Sequence, residues 1–120
     1  MILEPLPWSQ QLADFMGSVL GSENEAAELE RQAESGRVQC WMVDRSGILL
    51  TRLECIGDAR ELVLVAAKGD AGPNTWDALR WLARRVGAAS MRAHSSRKGM
   101  GRYLGRQGFQ VAETVYRAYI

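Results

Sequence analysis

The run Glu61–Ala67 (ELVLVAA) is nearly all apolar, which fits a strand covered on both faces. A helical pattern follows at about residues 75–86, with Trp76, Leu79, Leu82, Ala83 and Val86 on one stripe and Asp77, Arg80, Arg84 and Arg85 turned away. Gly87 ends that helix, and Ala89–His94 (ASMRAH) reads as a short strand. Strand, helix and strand at this spacing make a β-α-β crossover, right-handed by default, whose strands run parallel in one sheet. A chain of 120 residues has the length to close one core around such a unit but not two. A single domain over residues 1–120 is therefore expected.

The residues before the crossover supply the rest of the sheet. Ser9 can cap a helix over about 10–20, in which Leu12, Phe15, Met16 and Val19 follow the i, i+3, i+4, i+7 rule. Gly21 ends it. Ser22-Glu23-Asn24-Glu25 is a capping box, where the Ser22 hydroxyl and the Glu25 carboxylate satisfy backbone donors reciprocally. The helix it opens carries Ala26, Leu29 and Ala33 on one side and stops at Gly36. Arg37–Arg45 and Ile48–Ile56 read as strands joined by a short turn at Ser46-Gly47. With Arg45 opposite Ile48, Cys40 faces Leu53 and Cys55 faces Val38. Gly57-Asp58 then turns the chain into the apolar strand. Beyond the crossover, a helix over about 97–107 ends at Gly108, and Phe109–Ile120 is expected to return as one or two strands. The order α-α-β-β-β-α-β-α-β describes an α+β (α/β) fold with a mixed sheet, an antiparallel meander followed by the crossover.

Composition narrows the function classes. No apolar run approaches the roughly 20 residues that cross a bilayer. The start, MILEPLPWSQ, lacks the basic and apolar regions of a secretory signal, so a cytoplasmic location is expected. Cys40 and Cys55 fall in apolar strand-like stretches and read as reduced core residues. One histidine and two dispersed cysteines cannot close a four-ligand metal site. The net charge of +1 conceals an asymmetry: residues 1–78 carry 6 basic and 13 acidic side chains, residues 79–120 carry 9 basic ones and Glu113 alone. Such a basic end suits a polyanion, a phosphorylated cofactor, or the acidic half of its own chain or of a partner.

The stretch LRWLARRVGAASMRAHSSRKGMGRYLGRQGFQVAE runs helix, small-residue break, short strand, helix and then Gly108-Phe109. It resembles the second half of the GNAT N-acyltransferases, whose last helix closes on Leu-Gly-Phe, and the resemblance extends over residues 37–113. The compact size and trimmed N-terminus are most like the small GNAT-like proteins encoded by bacteriophages. The resemblance implies a crossover whose parallel strands splay apart, acetyl-CoA as cofactor, and an amine-bearing small molecule or protein as acceptor. The family binds its cofactor with a loop of the form Q/R-x-x-G-x-G/A, backbone N–H groups at the next helix start holding the pyrophosphate. The corresponding residues here are Ala67-Lys68-Gly69-Asp70-Ala71-Gly72, then Pro73-Asn74-Thr75. By resemblance the cofactor-binding residues are Val65, Ala66, Ala67, Lys68, Gly69, Gly72, Asn74 and Thr75, with the backbone amides of 65–67 orienting the thioester carbonyl. Arg97 joins them at the family's Asn position in the last helix. The motif is degenerate: Ala67 replaces Gln or Arg, with Lys68 beside it to offer charge, Asp70 replaces the inner glycine, and Pro73 removes an N–H. The same residues also read as a plain strand-to-helix loop.

The family's general acid is a Tyr four residues before the Gly of Gly-Phe. Leu104 holds that position here, and Tyr103 lies one residue earlier, about 100° around the helix. His94, the one histidine, ends the strand after the crossover and is the candidate base, since an imidazole suits proton transfer near neutral pH. Glu61 and Glu54 are the carboxylate candidates. Two readings stay open: an acetyl-CoA-dependent N-acyltransferase, or a catalytically inactive binding or assembly module on the same fold. The second would use the basic C-terminal third and Trp81 with Arg84 and Arg85, an aromatic beside cations being a frequent protein-contact signature. Ser95–Arg102 is basic and rich in small residues. It suits an anion such as the CoA 3′-phosphate or a nucleic-acid backbone, or a solvated helix cap.

Overall fold

The computed structural model describes residues 1–69, 74–94, 100–112 and 115–120. Five strands form one sheet in chain order: β1 (Leu3–Leu6), β2 (Gln39–Val43), β3 (Gly47–Ile56), β4 (Ala59–Gly69) and β5 (Ser90–Ala93). Helices α1 (Gln10–Met16) and α2 (Glu23–Glu34) lie between β1 and β2, joined by a 3₁₀ turn at Gly17–Leu20. The crossover helix α3 (Asn74–Arg85) leads to β5, and α4 (Met100–Arg106) follows. Neighbours from β1 to β4 pair antiparallel, whereas β4 and β5 are parallel. The α+β architecture expected from the crossover is the one observed.

The sheet has a core on each side. Leu12, Met16, Leu20, Val38, Cys40, Ile48, Leu50 and Ala66 pack under α1 and α2, with Leu29 and Ala33 of α2 against them. On the other face, the α3 stripe of Trp76, Leu79, Leu82 and Ala83 packs with Leu62, and Leu64, Met91, Leu104 and Phe109 close around it. Ser9 caps α1 and the Ser22–Glu25 capping box opens α2, as the sequence indicates.

Several expectations are corrected. β1 is a strand the sequence reading lacked; Pro5 in its middle offers no N–H, which only an edge strand such as this one tolerates. The β2–β3 turn sits earlier than Ser46-Gly47, because Asp44 and Arg45 both adopt the left-handed conformation (φ 51° and 58°) and Ser46 N–H bonds to the Val43 carbonyl. Its register places Cys40 opposite Leu50 rather than Leu53. Cys55 lies beyond the β2–β3 ladder, which runs only from Gln39–Thr51 to Val43–Gly47, so it does not face Val38; it pairs with Arg60 of β4 and is exposed, not a core residue. Burial pushes the Cys40 thiol up to about 11. Phe109–Ala112 and Val115–Ile120 form no strand. No described helix is long and apolar enough to cross a membrane, and the described residues hold no cluster of three or more His, Cys, Asp or Glu side chains placed to bind a metal ion.

Candidate functional site at the parting of two parallel strands

The site begins with a register shift. Leu50 of β3 pairs with Ala66 and Thr51 with Leu64, so Val65 is an extra residue and β4 is bulged there. Val65 and Ala66 both pack into the α1–α2 core, while Leu64 packs into the α3 core. The parallel ladder from Glu61–Ser90 ends at Leu64–Ala93, immediately before the bulge. β4 runs on to Gly69, and no described strand pairs with it on the β5 side beyond Leu64.

The other end of the ladder is clamped. Ala89 N–H bonds to the Arg60 carbonyl at 2.8 Å, and Arg60 donates to the Val86 carbonyl at 3.0 Å. Ser90 Oγ donates to Glu61 Oε2 at 2.8 Å, and Arg92 reaches both Glu61 (3.1 Å) and Glu54 (2.5 Å). Arg52 completes the group, pairing with Glu54 at 2.8 Å and donating to Gln32 of α2 at 3.1 Å. The Arg92 hydrogen bond, with Arg52 beside it, holds the Glu54 carboxyl below the usual carboxylate range. The candidate bases Glu54 and Glu61 are therefore brought together with arginines, about 10 Å of strand away from the parting.

On the α2 side of the bulge lies an open cleft of about 500 Å³. Val19, Leu20, Leu29 and Val65 form its apolar wall, and Asn24, Glu25 and Glu28 its polar one. Glu25 keeps its capping bond to Ser22 N–H at 3.0 Å. The hydrogen bond from Arg31 is the first cause that lowers the pKa of Glu28. The sequence reading used Glu25 as a cap and did not pick out this cleft. The available signal was the i, i+3 spacing of Glu25 and Glu28, which puts both on one helical face.

The remaining candidates divide into two groups. His94 is exposed and directly follows the last paired residue of β5, so it shares the parting with Val65, Ala66 and Ala67. Tyr103 Oη accepts a 2.7 Å hydrogen bond from Trp76 Nε1 at the start of α3, the two rings 5.7 Å apart. Lys68 instead turns to α1, where its Nζ donates to the Phe15 carbonyl at 2.6 Å and stands over the Phe15 ring. Asn74 donates to Asp44 at 2.5 Å, next to the half-buried Thr75. Asp44 also accepts from Ile2 N–H, and these two bonds, Ile2 first, lower its pKa. Gly69 is required by packing, since a Cβ there would lie 2.2 Å from the Ser46 carbonyl oxygen at φ 108°. Trp81 is half exposed and Arg84 and Arg85 are exposed on the outer side of α3. Gly72, Asp70, Pro73, Arg97 and the rest of 95–99 lie outside the described residues.

Among the described residues, a mixed five-stranded sheet with four helices, opening between one parallel pair, has the architecture of the GNAT acetyltransferase fold. Solved structures bear this out over essentially the whole chain. A "probable acetyltransferase" superposes with a TM-score of 0.71 at 14% identity, covering 100% of this chain and 98% of that one. The enzyme AAC(6')-Iy, solved with the bisubstrate analogue CoA-S-monomethyl-acetylneamine, gives 0.69 at 10% identity, covering 99% and 98%. The aminoglycoside 6'-N-acetyltransferase AAC(6')-IG of Acinetobacter haemolyticus gives 0.61 at 14% identity, covering 100% and 98%. At these identities the likeness is one of fold. No protein-family model matches the chain, and no curated protein matches it in sequence.

Proposed function

We propose that this protein is an N-acyltransferase that moves an acyl group, acetyl in the simplest case, from a coenzyme A thioester to a cationic amine. The observation that carries the reading is the Val65 bulge, which stands between the parted strands and the acid-walled cleft. A chain with one opening for the donor and another for the acceptor, meeting at one backbone position, is arranged for transfer between two bound molecules.

The open β4 edge fits the amide-bearing arm of the cofactor, because backbone groups without a strand partner accept a peptide-like ligand as they would an added strand. Val65, Ala66 and Ala67 would hold that arm, with Gly69 and Gly72 shaping the backbone that follows. The α3 start at Thr75 would face the anionic end, Arg97 adding charge. Lys68 and Asn74 would support this wall through Phe15 and Asp44 rather than touch the ligand. Bound acyl-CoA supplies an acyl carbon activated as a thioester. The chain supplies the rest: Glu25 and Glu28 attract the ammonium form of the acceptor, and the apolar wall of the cleft keeps its body in place. His94, at the mouth of the parting, would take the amine proton directly or through water, with Glu61 as the more distant alternative. Tyr103, held by Trp76, would return a proton to the departing thiolate.

The test has two parts. Acetyl-CoA near one millimolar should raise the melting temperature, because a ligand present at 100 times its Kd adds about 2.7 kcal/mol to the native state. A diamine such as 1,4-diaminobutane should then be acetylated, with KM rising about tenfold in Glu25→Gln/Glu28→Gln while a neutral aromatic amine is unaffected. Absence of both the melting shift and the acetylation would refute the proposal.

A second reading has one specific observation behind it. Lys68 and Asn74, expected near phosphate, are engaged by Phe15 and Asp44, as they would be in a binding or assembly module that keeps the fold without the chemistry. Trp81, Arg84 and Arg85 would then face a protein partner, and charge reversal at the two arginines would abolish its capture.

A further inference from the structure

The arginines of this chain are used in two ways. Arg31, Arg45, Arg52 and Arg92 pair with carboxylates, and Arg60 and Arg80 donate to the backbone carbonyls of Val86 and Gln107. Arg84 and Arg85 of α3 and Arg102 and Arg106 of α4 are exposed and have no ion pair or hydrogen bond among the described residues. From Asn74 to Ala112 the one acidic side chain is Asp77. A helix dipole favours a cation in the last turn, which suits Arg84, Arg85 and Arg106. It does not account for Arg102 in the first turn of α4, nor for Trp81, half exposed (49%) one turn before Arg84 and Arg85.

The two helices present these groups on one surface. Both pack on the same face of the sheet, where Trp76, Leu79 and Leu82 of α3 share a core with Leu104 and Phe109. Trp76 donates to Tyr103 Oη at 2.7 Å and meets Phe109 edge-on with ring centroids 5.6 Å apart, and Arg80 ties α3 to the Gln107 carbonyl. Their outer sides therefore face solvent together, Arg102 and Arg106 one turn apart on α4, Trp81, Arg84 and Arg85 one turn apart on α3. This surface has little of the apolar centre that a folded protein partner requires. Among the described residues, Trp81 and Tyr103 are the only exposed large hydrophobics of α3 and α4, and Tyr103 is engaged by Trp76. A flat indole beside forked guanidiniums suits instead a chain that carries phosphates and unstacked bases.

We propose that the outer surface of α3 and α4 binds single-stranded nucleic acid, Trp81 stacking on an unpaired base while Arg84, Arg85, Arg102 and Arg106 neutralise phosphates of the same strand. The stacking centre is separate from the coenzyme A opening, because Arg84 lies about 15 Å along the helix from Asn74 at the α3 start. The carboxylates of α2, Glu23, Glu25, Glu28, Glu30 and Glu34, belong to the opposite face of the sheet and confine a polyanion to this one. The inference does not depend on acyl transfer.

Fluorescence anisotropy of a labelled oligouridylate of about 20 nucleotides, titrated with the full chain, tests it. The logarithm of Kd should rise with the logarithm of salt concentration at a slope of about 2.8, the value for four phosphates of a single strand. Arg84→Ala/Arg85→Ala should weaken binding at least tenfold and lower that slope to about 1.4. Trp81→Ala should weaken binding at least fivefold with the slope unchanged, and should leave the binding of a duplex of the same length as it was, since a duplex offers no unpaired base. Far-UV circular dichroism of both variants should match the parent. Four results would overturn the proposal. They are no binding at about 50 mM salt, variants that bind as the parent does, equally tight binding of polyglutamate, which would assign the surface to an acidic protein, and displacement of the strand by acetyl-CoA, which would place it in the cofactor opening.

Discussion

Ala59–Leu64 and Val65–Gly69 are halves of one strand, β4, built for different ends. The first half pairs with β3 along its length and with β5 from Glu61 to Leu64, buries Leu62 and Val63, and lies beside the Glu54–Arg92–Glu61 ion pairs. The second pairs with β3 only, is bulged at Val65, and carries small residues at Ala66, Ala67 and Gly69. The contrast teaches how a compact sheet acquires a binding site without losing its core. Side chains and ion pairs fix the strand at one end, so the other can leave its backbone to a ligand.

The largest effect that separates the halves is on stability. Leu62→Ala should cost about 2–5 kcal/mol in urea unfolding, through lost burial and the cavity left behind. Val65→Ala, at a half-buried bulge, should cost about 1 kcal/mol; equal costs would break the comparison. Next, Gly69→Ala forces a Cβ against the Ser46 carbonyl at positive φ and should cost roughly 1–3 kcal/mol. A third prediction exchanges stability for binding. Ala67→Trp, at an exposed position, should leave unfolding within about 0.5 kcal/mol of the parent. It should weaken acetyl-CoA at least tenfold, about 1.4 kcal/mol by calorimetry.

The smallest effect concerns pH and belongs to the paired half alone. Arg92 and then Arg52 depress the Glu54 pKa in the folded state. Its contribution is thus present above the ordinary carboxylate value of 4.5 and is lost as pH falls through the folded value. Glu54→Gln should flatten the acid limb of the stability curve below about pH 4.5. Because Glu54 is about a third exposed, solvent screening keeps the effect small. An unchanged acid limb would show that the ion pairs do not hold this end of the strand.

The crossover was legible because its signals are local and redundant: the ELVLVAA run, the Trp76–Leu79–Leu82–Ala83 stripe and Gly87 all agree. The capping box at Ser22 was legible for the same reason. The bulge was silent because every residue around Val65 is apolar, and a register slip shows only where apolar and polar residues alternate. The β2–β3 turn was misplaced because Asp44 holds its left-handed conformation with the help of Ile2 and Asn74, residues 42 and 30 positions away. β1 was hidden by Pro5 and by its length of 4 residues. The cleft lies between α2 and β4, which are far apart in the sequence, and a reading along the chain sees Glu25 only as a cap. The strands expected over Phe109–Ile120 do not form among the described residues there, where Val111, Val115, Tyr116, Tyr119 and Ile120 stay exposed.

Amide hydrogen exchange at Val65–Lys68, with and without acetyl-CoA, tests the parting of β4 from β5 most directly. The account predicts that amides in this stretch facing away from β3 exchange quickly in the unliganded protein and slow at least tenfold when acetyl-CoA is added, while Leu62–Leu64 stay protected throughout. Full protection of Val65–Lys68 without ligand, or no change on adding it, would contradict the account.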